Sequence, residues 1–188
     1  MRSDVVWLVR AGEGSRHARL FAAAAVIAIG WPNIEGLGDL KGVSEETILA
    51  LLRSSPTVSS AEADAAELLA FRDEMRIGDV VITPDATQRD VLVGEIKGDY
   101  QYLDPSPAED YRHVRAVSWY GRWDRDLLPD HLRRETNYRR TLRRLSNRDE
   151  WFNFANDMRD SARNPEEVRR RATHSVSDSR SRDRVCPG

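Results

Sequence analysis

Gly94-Glu95-Ile96-Lys97-Gly98-Asp99-Tyr100-Gln101-Tyr102 is a strand end that runs into glycine and then into aromatic residues. Trp7-Leu8-Val9-Arg10-Ala11-Gly12 and Ile29-Gly30-Trp31, far upstream, have the same form. Strands that end in glycine beside an aromatic ring are how a small β-barrel builds a mouth for a flat ligand. The apolar, β-branched runs leading into these ends predict strands over 5–10, 24–29 and 91–96. The run 24–29 is apolar on both faces, which marks it as central. Residues 80–83 form the outgoing strand of a hairpin with 91–96, and 84–90 form its loop. Residues 111–120 alternate again, with Val114, Val117 and Trp119 as candidates for the buried side.

Helices are predicted between these strands. Ser15 opens a short one over 16–23. Ser44, followed by Glu45 and Glu46, caps one that runs to about residue 52. A third spans 61–75, with Ala65, Leu68, Leu69 and Phe71 near helical spacing. The arginine-rich run 127–145 reads as helical with a break near 135–137. The fold class expected is α+β: a small, partly open β-barrel of about five strands, with helices packed outside. Domain boundaries fall at 1–148 for the barrel, 149–163 for a short C-terminal helix and 164–188 for a polar tail. The tail is poor in apolar residues and is expected to be disordered, because it buries too little surface to offset its ordering entropy.

The chain has 188 residues and a formal net charge of −2, but the charge is unevenly placed. Residues 1–111 carry 10 basic and 19 acidic side chains, whereas 112–148 carry 11 basic and 4 acidic ones. Every basic residue in that second block is arginine, which pairs with phosphate in a fork and stacks on bases. A solvated helix face is the plain reading of such a block; a nucleic-acid surface is the sharper one. No apolar run approaches the ~20 residues of a membrane helix, and the N-terminus leads directly into a strand. A cytoplasmic location without membrane partner is therefore expected. Cys186 is the one cysteine, and the histidines at 17, 113, 131 and 174 have no metal-ligand spacing. No metal and no cofactor are expected.

The order Trp7-Leu8-Val9-Arg10-Ala11-Gly12, Ile29-Gly30-Trp31, Phe71, Gly78-Asp79-Val80-Val81-Ile82-Thr83-Pro84, Gly94-Glu95-Ile96, Tyr100-Gln101-Tyr102, Arg112-His113-Val114-Arg115 and Trp119 resembles the N-terminal reader module of Mrr-like modification-dependent restriction endonucleases. That module is similar to the EVE, YTH and PUA group of β-barrels, and the match spans roughly 4–145. The resemblance implies a PUA/EVE-like barrel that holds a modified base, a modified cytosine first of all, in an aromatic cage. It also implies a bacterial restriction or defence setting. In such proteins a nuclease domain usually follows the reader. Here about forty mostly polar residues follow, so cutting falls to a separate effector or the chain only binds.

On this reading the base pocket comprises Arg10, Ala11, Gly12, Trp31, Asn33, Tyr100 and Tyr102. Phosphates fall to Arg112, Arg115, Arg122, Arg125, Arg139 and Arg140, with DNA favoured over RNA. Each assignment has a plainer counterpart. Trp31 is either a core plug or a stacking platform, and Arg10 is a surface ion-pair partner or a pocket wall. Asn33 and Asp39 either serve their turn or read a base edge. A competing enzyme reading starts from Pro84-Asp85 and Glu95-Ile96-Lys97, the spacing of metal-dependent nucleases, in which carboxylates hold magnesium and a lysine stabilises charge. Asp85 and Glu95 lie at opposite ends of a hairpin, about 15–20 Å apart at strand rise, which leaves Asp79, Glu95 and Lys97 as the nuclease set. A protein-interaction module is the third reading.

Overall fold

The computed structural model describes residues 5–31 and 34–163. The predicted tail, Asn33 and Cys186 lie outside the described residues. Seven strands form one curled sheet: β1 (Val6–Val9), β2 (Val26–Ile29), β3 (Val80–Asp85), β4 (Asp90–Ile96), β5 (Gln101–Tyr102), β6 (His113–Asp124) and β7 (Leu142–Arg144). Their order is β2-β6-β4-β3-β1-β7, with β5 also on β6. Only β1 and β3 run parallel. Five α-helices accompany the sheet: α1 (Ala18–Ala24), α2 (Glu45–Ser54), α3 (Ala61–Leu69), α4 (Asp130–Glu135) and α5 (Arg148–Arg163). The α+β class and the partly open barrel are as expected, with two more strands than the sequence suggested.

The sheet is buried on both faces, which explains why its central strands read as continuous apolar runs. Trp7, Val9, Val81, Leu92 and Ile96 point inward to a core shared with α1, α2, α3 and β2. Val6, Leu8, Val80, Ile82, Val91 and Val93 point outward, where Leu132 of α4 and Trp151 and Ala155 of α5 cover them. The Trp151 indole N–H donates to Glu135 Oε2 at 2.8 Å, and Ser146 N donates to Glu135 Oε1 at 2.9 Å. That buried carboxylate therefore ties α4, α5 and the turn after β7 together.

β6 makes the curl. Its first half, His113 to Ala116, pairs with β2 on one side, while β5 takes His113 and Val114 on the other. Its second half, from Val117 to Asp124, pairs with β4. The pairing slips where Gly94 faces Trp119 and Val93 faces Gly121, leaving Tyr120 as the extra residue of a bulge. Gly94 is required there: a Cβ would stand 2.8 Å from the Ser118 carbonyl oxygen and from side-chain atoms of Val117 and Trp119.

Two predicted elements need correction. The run 127–145 is not one helix. Only Asp130–Glu135 is helical, and Leu142–Arg144 pairs antiparallel with β1. The edge strand is invisible to periodicity because two of its three residues are arginine. The strand expected from residue 24 starts at Val26, because Ala25 takes a left-handed conformation (φ 54°) that turns α1 into β2. The Ser44 cap is present, with its Oγ accepting Thr47 N–H at 3.3 Å. Among the described residues no helix is long and apolar enough to cross a membrane.

Candidate functional site

The ends of β1 and β2 meet around Tyr111. A Cβ on Gly12 would fall 2.6 Å from the Tyr111 hydroxyl, and one on Gly30 would fall 3.5 Å from Tyr111 Cα. Gly12 holds φ 71°, a left-handed conformation natural to glycine, so both space and backbone exclude a side chain. The His17 ring packs edge-on against Tyr111 at 5.4 Å, and His17 Nδ1 lies 3.3 Å from a Glu109 carboxylate oxygen. Ala11, expected in the pocket, is instead fully buried in the core.

A polar chain closes the same end. Trp31 Nε1 donates to Asp64 Oδ2 at 3.1 Å, fixing the half-buried indole. Arg140 donates to the other Asp64 oxygen and to Glu67 Oε1, both at 2.7 Å. Asp64 and Glu67 sit three apart on α3, so one guanidinium spans both. Burial pushes the Glu67 pKa up despite its pairing with Arg140. Arg10 donates to the Arg139 carbonyl, and its own N–H bonds Thr141 O at 2.9 Å. Arg10, Trp31, Arg139 and Arg140, widely separated in sequence, thus belong to one neighbourhood, in which the Arg139 side chain is exposed.

The tyrosines serve another role. The Tyr100 hydroxyl accepts Leu40 N–H at 3.1 Å and lies 2.9 Å from His113 Nδ1. Both Tyr100 and Tyr102 flank the His113 ring, at 5.9 and 5.5 Å. Burial raises the Tyr100 pKa to about 12 and lowers that of His113 to about 4. Tyr100 is therefore an internal brace, which corrects its placement in the pocket. Asp39 Oδ1 accepts Lys41 N–H at 3.0 Å and so serves its turn.

The arginine block divides. Arg115, 3% exposed, donates to the carbonyls of Phe71 (2.8 Å), Arg72 (2.8 Å) and Gly98 (3.1 Å). Every guanidinium nitrogen is engaged inside the protein, so its assignment to phosphate is withdrawn. Arg122 bridges Asp85 (2.8 Å) and Asp90 (2.9 Å) across the β3–β4 hairpin, and Arg125 bonds Thr136 and Asn137 after α4. These two and Arg140 are committed to internal partners, contrary to the phosphate role expected of them. Arg112 lies 3.6 Å from Asp104 on the surface. Of that set Arg112, Arg122 and Arg139 are exposed, and of these Arg122 is held in its two ion pairs.

The nuclease set is split by the sheet itself. Glu95 pairs with Val80, so its side chain shares the outward face. Asp79 lies one residue earlier and points inward, accepting Trp7 Nε1 at 2.7 Å and Arg76 N–H at 2.9 Å. Asp85 faces Asp90 at the far end of the hairpin. One magnesium ion, with ligands at about 2.1 Å, cannot reach carboxylates on both sides of a sheet. Among the described residues no three His, Cys, Asp or Glu side chains form a metal-sized cluster.

A family model described as a domain of unknown function, DUF8426, matches residues 7–146. The chain belongs to this family. No curated protein matches it. The DUF8426 segment contains β1 except Val6, β2 to β7 and all the described residues at the Tyr111 mouth, whereas α5 lies beyond it. Sequence reasoning located the strand ends and Trp31. It missed Asp64 and Glu67, whose i,i+3 spacing among the buried apolar residues of α3 was the available signal.

Proposed function

We propose that this DUF8426 protein is a non-enzymatic reader that holds a modified base, a modified cytosine in DNA, at the mouth between the ends of β1 and β2. The observation that carries the reading is the gathering of Arg10, Gly12, Gly30, Trp31, Tyr111 and Arg139 from separate segments at one end of a curled, partly open sheet. The sheet's form also suits the PUA/EVE-like barrel implied by the sequence resemblance. Trp31, oriented by Asp64, offers a ring face to a base, and stacking of this kind contributes roughly 1–3 kcal/mol per base. The exposed Arg112 and Arg139 supply backbone contacts and a modest salt dependence. A base in a duplex must be turned out of the stack first, at a cost of a few kcal/mol. A restriction or defence role follows from the resemblance.

The test is a binding screen with oligonucleotides carrying cytosine, methylcytosine, hydroxymethylcytosine or methyladenine, comparing the natural chain with Trp31→Ala and Arg139→Gln. Discrimination among the oligonucleotides should vanish in Trp31→Ala, while Arg139→Gln should weaken all of them about equally. Equal affinity of the natural chain for all four rules out the reader.

A further inference from the structure

On the opposite face of the sheet, a cleft of about 420 Å³ opens between the outer surface of β3, β4 and β6 and the last turns of α5. Lys97, Arg159 and Arg163 line it, with Glu95 as its carboxylate and Asn156 and Tyr120 as neutral polar groups. Glu95 accepts from both Lys97 and Tyr120, so these three form a unit of no net charge. The two arginines carry the remaining positive charge. Arg159 donates one Nη2 bond to Asn156 Oδ1 at 2.8 Å; its Nε makes no hydrogen bond and lies 3.7 Å from the exposed Asp160 carboxylate, a loose pair on the helix's outer side. Arg163 lies four residues on, on the same side of the helix. Phe152, Ala155 and Val80 give the cleft an apolar wall.

Two guanidiniums converging beside a pre-neutralised Lys–Glu–Tyr unit make a site for a doubly charged anion, because guanidinium forks match phosphate oxygens. The negative end of the α5 dipole, about half a charge, opposes an anion there, but the arginines exceed it. The volume lies within the range of ligand pockets and suits a body of nucleotide size rather than a bare ion. Residues 164–188, next along the chain, carry 6 basic and 4 acidic side chains, the wrong balance to neutralise the cleft.

We infer that the cleft beneath α5 binds a small phosphate monoester, with Arg159 and Arg163 holding the phosphate and Phe152 flanking the body it is attached to. Adenosine 5′-monophosphate, ribose 5-phosphate and a 5′-phosphorylated dinucleotide distinguish a free nucleotide, a sugar phosphate and a nucleic-acid end as the source. Each is titrated into the full chain by calorimetry, beside adenosine as the control without phosphate. At least one phosphorylated probe should bind at micromolar to submillimolar concentration while adenosine does not. Arg159→Gln should weaken that probe at least tenfold, and Lys97→Gln by a smaller factor. Trp31→Ala, at the other face, should leave it unchanged, so that failure here is separable from failure of the base reader. No binding by any of the three, or equal binding in a folded Arg159→Gln, overturns the assignment.

Discussion

The two halves of β6 are one strand in two environments. From His113 to Val117 it is flanked by β2, β5 and the end of β4, and its polar side chains His113 and Arg115 are turned into the protein. From Ser118 to Asp124 it has β4 alone, and Arg122 and Trp123 reach the surface. Each half carries one arginine within a β-strand, Arg115 in the first and Arg122 in the second, and nothing local in the sequence says which of the two is buried. What separates them is the number of neighbouring strands. In the first half a guanidinium meets backbone carbonyls left over by a helix end and a loop; in the second it meets carboxylates at the water boundary.

That contrast is most strongly tested by Arg115→Met. Removing the guanidinium strands the carbonyls of Phe71, Arg72 and Gly98 in the interior, and a loss of about 3–5 kcal/mol is expected from urea unfolding. A loss of about 2 kcal/mol or less would place Arg115 in the same class as Arg122. Acid should act on the first half next. His113 takes up a proton near pH 6.5 in the unfolded chain but only at about 4 in the folded one. Between those values the unfolded state holds more protons, so stability is complete above 6.5 and falls as the pH drops, by up to roughly 3 kcal/mol. Thermal melts of His113→Gln should show a shallower decline across pH 6.5 to 4 than the natural chain; parallel curves would contradict the burial argument.

At the junction of the halves, Gly94→Ala should cost about 1–3 kcal/mol, since its methyl group meets a backbone carbonyl that cannot move aside. A neutral substitution would mean that the bulge at Tyr120 relaxes freely. Arg122→Met is expected at about 1–2 kcal/mol: Arg122 itself reaches water, but its removal leaves the buried Asp85 carboxylate with Thr87 as its donor. It should also lift the acid sensitivity of Asp85: burial alone raises that carboxyl's pKa, but the hydrogen bonds from Arg122 and Thr87 outweigh it and hold it below the ordinary range. NMR titration of the Asp85 carboxyl in both proteins measures that change directly.

The strands were legible because buried β-structure leaves an apolar signature that needs no partner to be recognised. Val80 to Ile82 and Val91 to Val93 announced themselves in this way. β7 did not, because an edge strand satisfies one ladder only and tolerates Arg143 and Arg144. The candidate site was half legible. Glycine before an aromatic identified the ends at Gly12 and Trp31. The fate of each arginine was not, since whether a guanidinium faces a carbonyl, a carboxylate or water depends on residues 8 to 76 positions away. Likewise Glu95 and Asp79 differ by one step of strand alternation, which only the register with Val80 determines.

The family match stops at residue 146, yet part of the cover over the outward strand residues, Trp151 and Ala155 of α5, comes after it. A chain ended there would keep Leu128, Leu132 and Leu145 but uncover part of the strip formed by Val6, Leu8, Val80, Ile82, Val91 and Val93, with the Glu135 carboxylate deprived of its indole donor. Such a fragment should clump on expression, and any relative trimmed to the matched segment needs a substitute roof, either from its own flanking sequence or from another polypeptide.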